Sequence, residues 1–241
     1  MKLVNTKYRT RESEVMDDFE LKGPELAKTL KDLDKVNKWL GGNKITIEGI
    51  KKIISQTKPQ APVKIVDVGC GNGTILREIA NYGRKNNLNL ELLGIDANPY
   101  AIEIAEDLSQ DYPEIKFEAL NIFSTSFAEK KYDIVLCTLT LHHFEDVRIK
   151  HLLEVFLNSA NLGIVINDLQ RSRTAYYLFQ AFCAVFINNP IAREDGLTSI
   201  LRGFRKRDLE KFSEDLMVKH QKIRWKWAFR YQWILIKPQP K

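Results

Sequence analysis

Three glycines in "VDVGCGNGT" (66–74), at positions 69, 71 and 73, follow a short apolar run and precede a helical pattern. A strand, a glycine turn and a helix start let the backbone approach a ligand closely, with the first helical N–H groups facing it. The spacing is GxGxG, whereas a dinucleotide fingerprint needs GxGxxG/A and meets Thr74 at the required position. Asp67 precedes the glycines by two residues, and Asp96 closes "LELLGID" (90–96). On neighbouring parallel strands, both carboxylates come to the edge where open α/β sheets bind ligands. A carboxylate ending the second strand suits hydrogen bonding to ribose hydroxyls. A second chemistry is offered by "CTLTLHHF" (137–144), where His142 and His143 stand side by side after an apolar run. Histidine titrates near neutral pH, so the pair could move a proton, hold a metal or simply pack. No histidine pair has HExxH spacing and no CxxC pair exists, so no metal is expected.

The elements that must position these groups can be read from periodicity. "VKIVDVG", "LELLGID", "IKFEALNI" (115–122), "YDIVLCTL" (132–139) and "LGIVIND" (162–168) read as short buried strands. Helical patterns near 74–86, 99–110 and 146–158 separate them, which predicts βαβ units, a parallel sheet and helices on both faces. Ahead of them, Leu26, Leu30, Leu33, Val36 and Leu40 recur at helical spacing, with Pro24 placed to open a helix and Gly41–Gly42 to stop it. A second helix is expected over 46–55, and "TKPQAP" (57–62) reads as a linker. The segment 174–187 is apolar around most of its circumference, predicting burial as a substrate wall or subunit interface. In "KIRWKWAFRYQWILIK" (222–237) aromatics alternate strictly, with Lys222, Arg224, Lys226 and Arg230 on the other side. That is a strand period, and its length predicts a hairpin turning near 226–228.

Composition bounds the alternatives. The 241 residues, 44% hydrophobic and 28% charged, describe an ordinary globular chain. Three scattered cysteines suit reduced thiols and a cytoplasmic setting. The most apolar window is too short to span a bilayer, so no transmembrane segment is expected. Residues 202–241 hold 12 Lys/Arg against 4 Asp/Glu. That basic end invites a nucleic-acid reading, but alternation alone accounts for a half-buried sheet edge, and nucleic acid is not expected as a partner.

With the glycine turn and the two aspartates in register, the chain resembles class I S-adenosylmethionine-dependent methyltransferases over residues 63–170. It is most similar to the small-molecule branch that includes quinone-biosynthesis enzymes. "MDDFE…GPEL…NKWLGG" and "REDGLTSILRGF" also resemble methyltransferases that accompany type III polyketide synthases. The resemblance implies a seven-stranded, doubly wound, Rossmann-like sheet. It adds an N-terminal helical lid over 1–60 and a core over 61–241, with a substrate-capping insertion at about 172–204 after the fifth strand. It implies S-adenosylmethionine as cofactor. Asp67, Gly69, Cys70, Gly71 and Gly73 would hold the methionine moiety and Asp96 the ribose, with Ala97 and Asn98 beside the adenine. Asn121, where the family usually has Asp, would meet the adenine amine next to Ile122. Cys137 and Thr138 would lie beneath the reactive sulfur. His143 matches the histidine of the family's "LHHF" segment, as a pocket residue or as the base, with His142 second for the same proton. Asp168 and Arg202 are candidates for substrate contact, against plain readings as a helix cap and a surface ion pair. "NPY" (98–100) is similar to an amino-methyltransferase motif but follows the second strand, where Pro99 opens a helix.

The implied function is methyl transfer to oxygen on a small aromatic or polyketide-like acceptor, by a monomer or homodimer. Two other functions stay open on sequence grounds: an RNA methyltransferase using the basic end, and a non-catalytic cofactor-binding or scaffold protein.

Overall fold

A computed structural model describes residues 3–58, 62–214, 216, 218 and 220–238. Half of the expected linker, residues 59–61, lies outside the described residues.

The five predicted strands form, with modest changes of length. They are β1 (Val63–Val68), β2 (Leu90–Asp96), β3 (Ile115–Ala119), β4 (Tyr132–Thr138) and β5 (Ala160–Leu169). The basic, aromatic tail supplies β6 (His220–Lys226) and β7 (Arg230–Ile236), joined by a turn over 227–229. The sheet order is β3-β2-β1-β4-β5-β7-β6, with β7 antiparallel to both neighbours. The expected seven-stranded, doubly wound sheet is therefore present.

Side chains of opposite parity feed two cores. Val66, Val135, Ile164, Ile166 and Trp233 face α6 (Asp146–Ser159) and α9 (Lys206–Ser213) through Leu152, Phe156, Leu209 and Phe212. Ile65, Ile134, Leu136, Val165 and Ile234 face α2 (Gly42–Thr57) and α3 (Thr74–Lys85) through Ile50, Ile53, Leu76 and Ile79. Fully burying each such side chain contributes roughly 1.5–3 kcal/mol.

Ahead of the sheet, α1 (Gly23–Trp39) begins at the Pro24 signal, and Gly41 in the left-handed region separates it from α2. The second helix is longer than predicted because Gly42–Lys44 continue its backbone. After β2, α4 (Pro99–Asp107) is capped by Asn98, whose Oδ1 accepts from the amides of Tyr100 and Ala101. A short α5 (Thr125–Ala128) lies before β4. After β5 come α7 (Arg173–Phe186) and α8 (Pro190–Arg202).

Two expectations need correction. α7 is not buried all round: Ala175 and Cys183 are enclosed, while Leu178, Val185 and Phe186 are exposed. Its apolar circumference serves a cavity wall on one side and solvent on the other. Nor does β7 alternate between core and solvent, since all seven of its residues are buried. It lies between β5 and β6 with helices over both faces, so the period of two no longer separates inside from outside. The exposed edge is β6.

Gly163 of β5 is constrained by its neighbours: a Cβ there would lie 2.3 Å from the Leu235 carbonyl oxygen of β7. That obstacle is backbone and cannot rotate away. Gly163→Ala should destabilise the chain by about 1–3 kcal/mol, read as a lower urea midpoint with an unchanged slope. A wild-type midpoint would show that the β5–β7 contact gives way.

Candidate functional site

The strands of the parallel sheet end on a cavity of about 740 Å³, roofed by α1, α7, α8 and the N-terminal segment. One half is built by the loops after β1, β2 and β3. Gly69, Gly71 and Gly73 all have positive φ (73°, 53° and 75°), which turns the chain back into α3. Only Gly69 and Gly71, with Cys70 and Asn72, reach the cavity wall. Gly73 faces away from it, and a Cβ there would lie 2.6 Å from the Phe117 ring. Its glycine is therefore required by helix–sheet packing. From α1, Asp34 accepts hydrogen bonds from Asn72 Nδ2 and Thr74 Oγ1, fastening the first helix over the turn.

Asp96 closes β2 beneath this turn. Its Oδ2 accepts from the Gly71 amide (2.9 Å) and its Oδ1 from the Asn98 amide (3.0 Å). Burial raises its pKa, and these backbone donors partly offset that. Each oxygen keeps a lone pair for a ligand hydroxyl. Asp67 differs. It is 2% exposed, and its Oδ1 has no hydrogen-bond partner. Burial, reinforced by the Asp96 charge, pushes its pKa up to about 8. Ala97, Asn98, Asn121 and Ile122 line the same half. Asn121 lies past the end of β3, and its Oδ1 accepts from the Phe123 amide (2.9 Å). Thr138 reaches the wall from β4 and sits 3.0 Å from Thr46 Oγ1. Cys137, one residue earlier, points the opposite way into the core with Val135. The reading that put both under a ligand overlooked strand parity.

The other half centres on the histidine pair, held in a short 3-10 turn, Leu141–His143. Behind it lies a buried network whose members are far apart in sequence. His142 Nδ1 is 2.7 Å from Asp168 Oδ1, and His143 Nδ1 is 2.6 Å from Asp17 Oδ1. Burial raises the Asp168 pKa, but the His142 charge and hydrogen bond outweigh it and hold the group below the usual range. Asp17 likewise ends well below that range: burial is overcome by its bonds to His143 and Arg202. Each Nδ1 thus faces a carboxylate, and each Nε2 is the ring nitrogen left without a hydrogen bond to one. His142 Nε2 stands 3.6 Å from Glu14 Oε1, neither atom having a hydrogen bond. Burial lifts Glu14 to about 7, against the lowering influence of His143, Ser199 and Arg202.

Asp168 and Arg202 are thus not substrate contacts on the cavity wall. Asp168 holds His142, and the helix after β5 is capped by Ser172 instead. Arg202 is buried, donating to Asp17 Oδ2 (2.5 Å) and to the carbonyls of His143 (2.6 Å) and His142 (3.3 Å). Glu14, Asp17, Asp195 and Ser199 belong to the same network and were missed by sequence reasoning. "MDDFE" and "REDGLTSILRGF" carried the signal, but nothing local says that these stretches meet.

Glu14, His142 and His143 offer ligand atoms within 4.8 Å of one another, a set able to hold a metal that no sequence spacing reveals. Arg202 Nη1 lies 3.6 Å from the same Glu14 oxygen and opposes a dication there. The arrangement suits proton control better than metal binding.

Residues 65–160 match the model of a methyltransferase domain family. The chain is 26% identical over 103 residues to the uncharacterised methyltransferase YcgJ of Bacillus subtilis, covering 42% of this chain and 38% of that protein. It is 31% identical over 153 residues to a ubiquinone biosynthesis O-methyltransferase of Rickettsia typhi, covering 60% and 56%. The chain thus spans about half the length, or less, of these curated relatives. A crystal structure of the plantazolicin methyltransferase BpumL, with a triazolic desmethylPZN analog and SAH, superposes with a TM-score of 0.68 at 19% identity. That likeness covers 90% of this chain and 92% of BpumL. Sheet order, glycine turn and domain match define a Rossmann-like methyltransferase domain. Over residues 65–160 the chain carries a methyltransferase domain, and its fold is that of S-adenosylhomocysteine-bound methyltransferases such as BpumL.

The raised carboxyls make stability depend on pH. Folded Asp67 keeps its proton to about pH 8 and folded Glu14 to about pH 7, against ordinary carboxyl values of 3.8 and 4.5. Between about pH 4 and 8 the native state therefore binds more protons than the unfolded chain, and stability falls as pH rises. Asp17 and Asp168 act oppositely, but only below the ordinary carboxylate range. The melting temperature of the free protein should fall from pH 5 to pH 8, and Asp67→Asn should flatten that slope. A wild-type slope in the variant would remove Asp67 as its source.

Proposed function

We propose that this chain transfers a methyl group from S-adenosylmethionine to an oxygen of a small aromatic or polyketide-like acceptor. The carrying observation is the juxtaposition in one cavity of the Asp96–glycine-turn half and the His143 half. The first half fits the cofactor: Asp96 has free lone pairs for ribose hydroxyls, and the orphaned Oδ1 of Asp67 suits the positively charged methionine end. Bound there, the cofactor supplies an electrophilic methyl group. What remains for the protein is to align the acceptor and manage its proton.

The second half supports that task. His143 is about a quarter exposed and presents Nε2 while Asp17 holds Nδ1. It takes the acceptor's proton, and the imidazolium formed is stabilised by Asp17 in the way a carboxylate orients a catalytic histidine. His142, enclosed between Asp168 and Glu14, keeps the adjacent ring in place and provides the next proton site. Rings at the far wall, Phe179 and Phe182 of α7 with Trp227 and Phe229 of the β6–β7 turn, favour an aromatic acceptor. Within the expected lid, the Glu14–Asp17 stretch and α1 take that role, because they close the cavity through Leu30, Leu33 and Val36, while α2 packs on the sheet.

Isotope-labelled methyl transfer to a panel of phenolic and polyketide-like acceptors, read by mass spectrometry, tests the reading. Label in no acceptor, with S-adenosylhomocysteine binding intact, would leave a cofactor-binding protein without transfer activity. Asp96→Ala should weaken S-adenosylhomocysteine binding by about tenfold or more, the loss of one or two charge-assisted hydrogen bonds. Wild-type affinity would overturn the ribose assignment. His143→Ala should lower kcat by about 10²–10⁴-fold with cofactor affinity kept, and a change in cofactor affinity alone would mark it as a wall residue.

A further inference from the structure

Arg230 is 2% exposed, and its Nε and Nη1 have no hydrogen-bond partner. An arginine is almost never enclosed without a partner, and an uncompensated buried charge is strongly unfavourable. The chain's other enclosed arginines obey that rule. Arg171 donates to the Thr6 and Gly203 carbonyls and to Asp208, and Arg202 to Asp17 and the two histidine carbonyls. Burial pulls the Arg230 pKa down to about 10, so it remains a cation at neutral pH. The charge that favours its ionised form is Asp168, a carboxylate already engaged by His142 and by the Leu169 amide.

The surroundings are shaped for this guanidinium, and the one carboxylate acting on it, Asp168, is bonded to His142 instead. Arg230 opens β7 beside Leu169 of β5 and lines the cavity. Gly42 lies against it: a Cβ there would be 2.8 Å from the guanidinium carbon and 1.9 Å from Asn37 Oδ1. Asn37 Oδ1 is itself buried without a partner. Strand order places Arg230 four strands from Asp96, on the order of 19 Å at the usual interstrand spacing. It therefore belongs to the acceptor half. Arg148, the other arginine on the cavity wall, sits over the Phe123 ring near the β3 loop.

We propose that Arg230 is an anion receptor for the acceptor, and that the acceptor carries a carboxylate which pairs with it inside the cavity. This rests on reading the cavity as a methyl-transfer site. The ligand would supply the directly bonded anion that Arg230 Nε and Nη1 lack, and the Asn37 carbonyl would take a hydroxyl beside it.

The test uses the full chain and two probes of the same ring system, 1-hydroxy-2-naphthoate and 1-naphthol. Binding is followed by calorimetry without cofactor, and S-adenosylhomocysteine is titrated separately. Wild type should bind the acid at least tenfold more tightly than the neutral phenol, the range of a charge-assisted hydrogen bond. Arg230→Met should remove that preference, leave 1-naphthol and S-adenosylhomocysteine affinities unchanged, and keep or raise the melting temperature. Arg230→Lys should retain part of the preference. Equal binding of both probes by wild type, or a preference that survives in Arg230→Met, would overturn the proposal. So would a lowered melting temperature with the preference retained, which marks a structural arginine, or loss of S-adenosylhomocysteine affinity, which assigns the cation to the cofactor. If wild type fails to bind S-adenosylhomocysteine, the methyltransferase reading fails, while the probe preference still reports on Arg230.

Discussion

The cavity depends on pairing buried charge across segments that the chain separates by more than a hundred residues. Glu14 and Asp17 come from the N-terminal stretch, the histidines from the loop after β4, Asp168 from β5, and Asp195, Ser199 and Arg202 from α8. Asp195 accepts from the Val15 and Met16 amides, and Ser199 Oγ donates to Glu14 Oε2. Arg202 joins the Asp17 carboxylate to the carbonyls of both histidines. None of these groups can be removed singly without leaving a polar partner stranded in a low-dielectric site. Desolvation makes such a network a poor source of net stability. Its effect is positional: it fixes where the histidine rings stand and brings the N-terminal segment over them.

That positional role explains why the surrounding fold is built differently from its site. The sheet is held by apolar packing of alternate residues on two faces, a pattern that tolerates volume-conserving change. Directional bonds hold the site. At the β1 end, backbone amides of Gly71 and Asn98 orient Asp96, while Asp34 anchors α1 to Asn72 and Thr74. At the β4 end, carboxylates orient the imidazoles. The two ends meet over β4, where Thr138 closes the apolar run Ile134–Cys137 and Thr140 follows it, both on the cavity wall.

Sequence made local features legible and hid the tertiary ones. Strands β1 to β5, the glycine turn and Asp96 were readable because period and turn chemistry are written in adjacent residues. Cys137 was misplaced beside Thr138 although parity alone separates them: Val135 and Cys137 share the core face, and Thr138 cannot. Gly73 was grouped with Gly69 and Gly71 by motif, while its constraint comes from Phe117, forty-four residues on. Asp168 and Arg202 were chosen for their charge, but what they touch is decided by α8 and the N-terminal stretch packing on the same loop. Arg230 was grouped with Lys222 and Arg224 on the side opposite the aromatics, because a period of two cannot reveal that a strand is covered on both faces.

Among the buried polar groups without a hydrogen-bond partner, two on the cavity wall have opposite charge preferences. Asp67 Oδ1 stands without a partner at the end of β1, and the Arg230 guanidinium at the start of β7. Buried orphans of this kind are rare in a settled interior, and both line the same cavity. A structural explanation would have to account for each separately, although the chain pairs its other buried arginines with care. A ligand explanation accounts for both at once. A cationic donor group beside Asp67 would drive its ionisation, and an anionic acceptor group beside Arg230 would neutralise the guanidinium. Two ligands of opposite charge would then be drawn to opposite ends of one cavity, with His143 between them. On the proposed reading, the free protein leaves the Arg230 cation and the protonated Asp67 carboxyl without partners because their partners are the reactants.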